Sequence, residues 1–369
     1  MRLLFISALA FFSLTQAGCK RVEESNQNGT NATDSVKQLT YKGETHLSNL
    51  KQLTFGGDNA EAYFSSDGKS VTFQATNKAW GDSCDQIYLM DLQAEDARAY
   101  KPALLSTGQG RTTCSYFLPG DSTIVYASTH LVDAACPPVP AHRTDGKYVW
   151  PIYPSFDIFV ADLHGHILKQ LTNTPGYDAE ATVSPKGDKI VFTSMRSGDL
   201  ELYTMNIDGS DVKQITSGLG YDGGAFFSPD GNKIVFRASR PVTPEEIAEY
   251  KELLAENLVM PTHMELYTCN VDGSDLKQIT HLGQANWAPF FHPSGKKIIF
   301  SSNHTSEKGM PFNLWMINTD GIGLEQITYD GFFDAFPMFS PDGKKLIFSS
   351  NRNNGGTHET NLFIGDWND

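Results

Sequence analysis

One short unit recurs six times along this chain, and an internal repeat at such spacing constrains a fold more than any other sequence feature. Each copy opens on a turn: Ser65-Ser66-Asp67-Gly68, Leu118-Pro119-Gly120-Asp121, Ser184-Pro185-Lys186-Gly187, Ser228-Pro229-Asp230-Gly231, His292-Pro293-Ser294-Gly295 and Ser340-Pro341-Asp342-Gly343. Proline presets φ for the second position of such a turn, and glycine takes the positive φ that other residues avoid. A short apolar triplet follows each time, from Val71-Thr72-Phe73 to Leu346-Ile347-Phe348. Continuous β-branched and aromatic runs bounded by turns suit strands buried on both faces. A third column ends in a carboxylate or amide, as in Ile87–Asp91 and Leu202–Asn206. A hairpin turn such as Asp208-Gly209-Ser210 then leads to Gln-Ile-Thr or Gln-Leu-Thr.

Four strands per unit, with copies about 44 to 64 residues apart, fit an all-β six-bladed β-propeller of four-stranded antiparallel blades. The apolar spacing is not the 3.6 period of a helical solenoid. The sixth copy stops after its third strand, whereas Leu50-Lys51-Gln52-Leu53-Thr54 is a fourth strand without a blade. This N-terminal strand is expected to complete the last blade, closing the ring and covering a sheet edge.

The start of the chain is of another kind. Arg2, the apolar stretch Leu3 to Leu14 and the small residues Ala17-Gly18 form an export signal over residues 1–18. Cys19 follows, and Ala17-Gly18-Cys19 resembles the end of a bacterial lipoprotein box, with Gln16 where that box carries leucine. Ordinary secretory cleavage nearby is the alternative. Residues 19–45 are expected to be a lipidated cysteine and a polar tether, and residues 46–369 the propeller. After residue 20 no apolar run is long enough to span a bilayer, so the expected membrane contact is the lipid anchor alone. The formal charge of −14 excludes the basic footprint that a nucleic-acid binder needs.

The unit Gln-Leu-Thr … Ser-Pro-Asp-Gly-Lys … Ile-Val-Phe … Leu-Tyr-Thr-Met-Asn … Asp-Gly-Ser resembles that of the TolB-like propellers of bacterial envelopes, over about residues 46–369. The resemblance implies a location in the periplasm or at the outer membrane and a protein partner, since TolB binds the lipoprotein Pal with its propeller. TolB also carries an α/β domain before its propeller; here a tether is expected in its place. The same repeat occurs beside peptidases and in some lyases, so the resemblance leaves function open.

Strand order places the large departures from the repeat at one mouth of the ring. Leu131 to Ser155 is rich in proline and aromatics, with Tyr148, Trp150 and Tyr153 as candidate rim residues. In Pro241 to Thr262, the capping box Thr243-Pro244-Glu245-Glu246 predicts a short amphipathic helix with Ile247, Leu254 and Leu258 on one side, packed on its own blade. Two polar columns lie at the same mouth. One is Asn59, Thr112, Asp178, Asp222, Asn286 and Asp334, with Glu61 and Glu180 two positions on. The other is Asn77, His130, Arg196, Arg240, His304 and Arg352. A ring of such oxygens could hold Ca²⁺ in the central channel or a partner's basic segment, although no cofactor is required. The same columns suit Asp–Arg pairing between neighbouring blades with capping of loop amides.

Cys84, Cys114 and Cys136 fall on one rim, and a structural disulfide joining Cys84 to one of the other two is expected; Cys269 reads as a buried thiol. Gly218 to Gly223 matches a dinucleotide fingerprint in letters but precedes no helix, and His164 and His166 lack further ligands. No nucleophile elbow, H-E-x-x-H or P-loop is present. The expected function is a non-enzymatic envelope scaffold engaging a protein through the loop-rich rim. The alternatives are a metal-dependent oligouronide lyase using the mouth carboxylates with His130 or His304 and the loop around Trp150, or a propeller accessory to a peptidase.

Overall fold

The computed structural model describes residues 39–94, 101–140, 143–307 and 309–369; Cys19 and the export signal lie outside them. Six four-stranded antiparallel sheets follow one another along the chain. The first strands of blades one to six are Asp58–Phe64, Thr112–Phe117, Asp178–Val183, Asp222–Phe227, Asn286–Phe291 and Asp334–Phe339. Blade six takes its outer strand from the N-terminal side. Leu47–Gln52 runs antiparallel to Asn361–Trp367, with Leu47 opposite Trp367 and Gln52 opposite Phe363.

The Gln-x-Thr motif has a direct physical cause. Outer strands such as Lys213–Gln214 and Lys277–Gln278 are two residues long and leave a third-strand N–H without a backbone acceptor. The threonine hydroxyl accepts it: Leu202 N donates to Thr216 Oγ1 at 2.9 Å, Leu266 N to Thr280 at 2.8 Å, Leu314 N to Thr328 at 2.9 Å and Leu362 N to Thr54 at 2.8 Å. The glutamine amide then donates to the threonine carbonyl, as from Gln214 to Thr216 at 2.8 Å. The Ser-Pro-Asp-Gly turns close in the same local way, Lys345 N donating to Ser340 Oγ at 3.0 Å. The triplets fill the space between blades: Val191, Ile234, Ile298 and Phe348 are wholly buried.

Two expectations about the mouth change. Residues 39–45, assigned to the tether, belong to the propeller: the Glu44 carboxylate accepts from Arg352 Nη2 at 3.1 Å, with both side chains shut off from solvent. The helix forms over Pro244–Ala255 with its capping box intact, but it buries Tyr250 and Leu253. Leu258 lies beyond it, in a strand, and Ile247 and Leu254 are only half-buried. The helix packs with Tyr221, Val259 and Met264 of its own blade and also reaches beyond it. Tyr250 donates to Asp199 of blade three, while Glu249 and Glu256 pair with Lys147 and Arg143 of the blade-two insertion. Beside it Trp150–Pro151 pairs with Leu258–Val259, so the two insertions meet as a ribbon.

Candidate functional site

Every first strand carries a bulge at the same place. Register breaks between Ala60 and Tyr63, Thr113 and Tyr116, Ala179 and Thr182, Gly223 and Phe226, Trp287 and Phe290, and Ala335 and Met338. The extra residue is Glu61, Cys114, Glu180, Gly224, Ala288 or Phe336, each with φ between 47° and 59°. A bulge re-aims its side chain out of the ladder, and these six residues all line one cavity of about 830 Å³ at the loop-rich mouth. Two residues further along, Tyr63, Tyr116, Phe226 and Phe290 stack across the channel with centroid spacings of 5.2 to 6.5 Å. This aromatic plug separates the funnel from a smaller cavity of about 510 Å³ among the Ser-Pro-Asp-Gly turns.

The first column behaves differently from the expected ring. Asn59, Thr112, Asp178, Asp222, Asn286 and Asp334 are all buried, and only Thr112 touches the funnel. The Asp–Arg pairs form inside single blades, not between neighbours: Asp178 with Arg196, Asp222 with Arg240, Asp334 with Arg352. The hairpin register requires this, because it sets Asp178 opposite Ser194 and so beside Arg196. Between blades it is the neutral members that reach: Asn59 Nδ2 donates to the Thr360 carbonyl at 2.8 Å, Asn286 Nδ2 to Met264 at 2.8 Å, and Thr112 Oγ1 to Asp85 at 2.9 Å. Burial pushes the Asp178 and Asp222 carboxyls up despite their arginines. His130 lies on Phe159 at 4.5 Å and His304 on Trp315 at 4.3 Å, bonded to Ser128 and Ser302; neither lines the funnel.

The funnel wall is aromatic. Tyr148, Trp150 and Tyr153 all contribute, as does Trp287, which lies 5.1 Å from Trp150, stacks on Phe312 at 4.3 Å and donates its indole N–H to the Pro261 carbonyl. At the floor Glu180 accepts from Thr193 Oγ1 at 2.6 Å, Tyr221 Oη at 2.7 Å, Gly224 N at 2.9 Å and Arg237 Nη2 at 2.5 Å. Burial opposes its charge, but Arg237 and these hydrogen bonds outweigh it and hold the carboxyl below its usual range. Glu61 differs: burial pushes it up, the hydrogen bonds from Cys114 and Tyr63 failing to offset this. Burial, then Glu61 and Glu180, push the Cys114 thiol far up, so it stays protonated. Sequence reasoning missed Arg237, Tyr221 and Trp287, because their signal is a break in the repeat: Thr193, Ser301 and Ser349 hold the places equivalent to Arg237.

Cys84 and Cys136 are disulfide-bonded, joining the rim loops of blades one and two, while Cys114 and Cys269 are free and buried. His166 is exposed and bonds Asp162 at 2.9 Å, and among the described residues no three His, Cys, Asp or Glu cluster as a metal group.

Fold and funnel together define a six-bladed propeller with one open, aromatic-lined mouth. Residues 139–251 match the TolB β-propeller domain family. No curated protein sequence matches it significantly. Among solved structures it is similar to a TolB-type protein from Agrobacterium tumefaciens at 19% identity and TM-score 0.53, over 85% of this chain and 91% of that one. TolB from Acinetobacter baumannii aligns at 18% identity and TM-score 0.50, over 85% of this chain and 64% of that one, which is less than two thirds of it. An oligogalacturonate lyase solved with manganese aligns at 12% identity and TM-score 0.50, over 87% and 93%. At these identities the likeness is one of fold.

Proposed function

We propose that this protein is a non-enzymatic binding scaffold of the bacterial envelope, exported and lipid-anchored through Cys19, that receives a segment of a partner protein in its funnel. The observation that carries this reading is the cavity of about 830 Å³, walled by Trp150, Trp287, Tyr148 and Tyr153 and closed below by the plug. Deep aromatic pockets of this kind anchor most of the binding energy in protein interfaces. Exposed Leu131, Val132, Val139 and Val242 on the two insertions extend the apolar surface around the mouth. The scaffold needs no cofactor.

The lyase alternative assigns acid–base work to His130 or His304 and the mouth carboxylates. The ring stacking of both histidines and the ion pairing of Asp178, Asp222 and Asp334 favour the scaffold over it. Cross-linked capture from the native envelope should return one dominant protein, and Trp150→Ala should reduce that capture severalfold. An empty capture, together with turnover of uronic-acid oligomers, would reverse the choice. A peptidase as the dominant protein would make this a propeller accessory to it.

A further inference from the structure

The bulge column is polar on one side of the funnel and apolar on the other. Blades one to three place Glu61, Cys114 and Glu180 there; blades four to six place Gly224, Ala288 and Phe336. The repeat thereby supplies its own control. One backbone conformation accepts glycine, alanine, phenylalanine and cysteine, so the bulge itself does not call for a carboxylate. Glu61 is nonetheless present, in a left-handed conformation at φ 54° that only glycine adopts freely. Its carboxylate accepts from Tyr63 Oη at 3.0 Å, and among the described residues it has no ion-pair partner. A half-buried carboxylate without a cation opposes folding, and a group retained at such cost points to function.

A second side chain points to the same place. Arg237 is 93% buried, counting from 7% exposure, and lines the funnel. Both recorded hydrogen bonds of its guanidinium leave from Nη2, to Glu180 and to Tyr221 Oη at 2.7 Å, and its Nε–H has no partner. Its plane lies over Tyr221 at 5.0 Å and near Trp150 at 5.5 Å. Gly224 makes the room, since a Cβ there would stand 1.7 Å from Nη1. The floor thus holds two carboxylates against one guanidinium, beneath aromatic faces, with Nη1 of that guanidinium making no hydrogen bond among the described residues.

We infer that the funnel floor is a cation-recognition subsite, in which Glu61 takes an ammonium or guanidinium group of the occupant while Arg237 donates to a neighbouring carbonyl. Surplus negative charge with aromatic faces is what an organic cation requires, and an anion would meet Glu61 and Glu180 first. A lysine or arginine side chain, or a peptide N-terminus, offers a cation close to a carbonyl. The inference rests on the scaffold reading for the source of that group. The groups facing Glu61 are Tyr63 on its own strand and Cys114, Glu180 and Arg237 on the next three blades. Burial raises its carboxyl in the empty funnel and a cation beside it would lower it again, so cation affinity should fall as pH drops through the carboxylate range.

The test uses the folded chain and three blocked peptides, acetyl-Ala-Lys-Phe-amide and its arginine and norleucine counterparts, followed by tryptophan fluorescence and calorimetry. A fourth peptide, with norleucine and a free N-terminus, separates an α-ammonium from a side chain. A cationic peptide should bind about tenfold more tightly than blocked norleucine. Glu61→Gln should erase that ratio. Calorimetry at falling pH should show cation affinity lost through the carboxylate range for the wild type only. Equal affinities, a ratio that survives Glu61→Gln, or no binding at millimolar peptide would each overturn the inference. If a partner is captured and cross-links to the funnel while the ratio is absent, the subsite falls and the scaffold stands. If the ratio is present and capture is empty, the reverse holds.

Discussion

The first polar column and the bulge column lie only two residues apart on each first strand, yet they have opposite fates. Asn59, Thr112, Asp178, Asp222, Asn286 and Asp334 are buried, and each of the three aspartates meets the arginine that the hairpin register sets beside it. Chemical identity covaries within the chain: aspartate faces arginine in blades three, four and six, whereas amide or hydroxyl faces Asn77, His130 or His304 in blades one, two and five. Glu61 and Glu180, one bulge further on, face the funnel instead. Where the repeat repeats, its polar groups serve the ring; where it breaks, they face the funnel.

The sharpest way to break this contrast is Arg352→Ala. Arg352 joins Asp334 and Glu44, all three side chains at 1% exposure or less, and binds the Leu39 carbonyl at 3.0 Å. Its loss leaves two buried carboxylates without a cation and frees the segment that leads into the closing strand. Removing one partner of a buried pair typically costs about 3–5 kcal/mol. Urea unfolding should show that loss. A change below about 1 kcal/mol would mean that the first column does not serve the ring.

Gly224→Ala tests the other column. The new Cβ would collide with Arg237 Nη1 at a φ of 59°, so strain and displacement together should cost about 2–3 kcal/mol. Unlike Arg352→Ala, it should also weaken whatever the funnel binds, because Arg237 must leave Glu180. Full stability with lost binding would place Gly224 on the functional side alone.

The fold was legible because its determinants are local and repeated six times: Ser-Pro-Asp-Gly is a turn wherever it occurs, and Gln-x-Thr caps a third strand whatever surrounds it. Ring closure was legible too, as one strand too many at the start and one too few at the end. Which way a polar column faces was not. An Asp–x–Glu spacing such as Asp178-Ala179-Glu180 would put both side chains on one face of a regular strand. The bulge breaks that alternation, burying Asp178 and turning Glu180 to the funnel. The helix was misjudged for a related reason. Tyr250 and Leu253 are buried because the blade-two insertion and Asp199 come to them, which no property of the helix itself announces.

Glu201, at the start of the third strand of blade three and beside Asp222 of the first column, gives a smaller, pH-dependent test. It accepts from Thr216 Oγ1 and Gly218 N, both at 2.7 Å, and burial, aided by Asp222, pushes its carboxyl up to about 7. A raised carboxyl binds its proton more tightly in the folded chain. Stability should therefore be full below the ordinary carboxylate range and decline as pH rises towards about 7. Glu201→Gln should flatten that decline by on the order of 2 kcal/mol between pH 4 and pH 8.

The smallest effect carries the comparison inside the bulge column itself. Glu61 and Glu180 share conformation and cavity, but burial raises the carboxyl of Glu61 whereas Arg237 holds that of Glu180 down. The signs of their linkage are therefore opposite. Stability owed to protonated Glu61 is present at low pH and lost as pH rises through its raised value; stability owed to ionised Glu180 is present at neutral pH and lost as pH falls below the ordinary range. Glu61→Gln should raise the urea midpoint at pH 8 relative to wild type, modestly because the side chain opens onto the cavity, and leave pH 4 unchanged. Glu180→Gln should lower the midpoint at pH 8, because it strands the Arg237 guanidinium in the floor. If both variants shift the midpoint in one direction, the floor holds two equivalent carboxylates, and the division between a paired and an unpaired one is wrong.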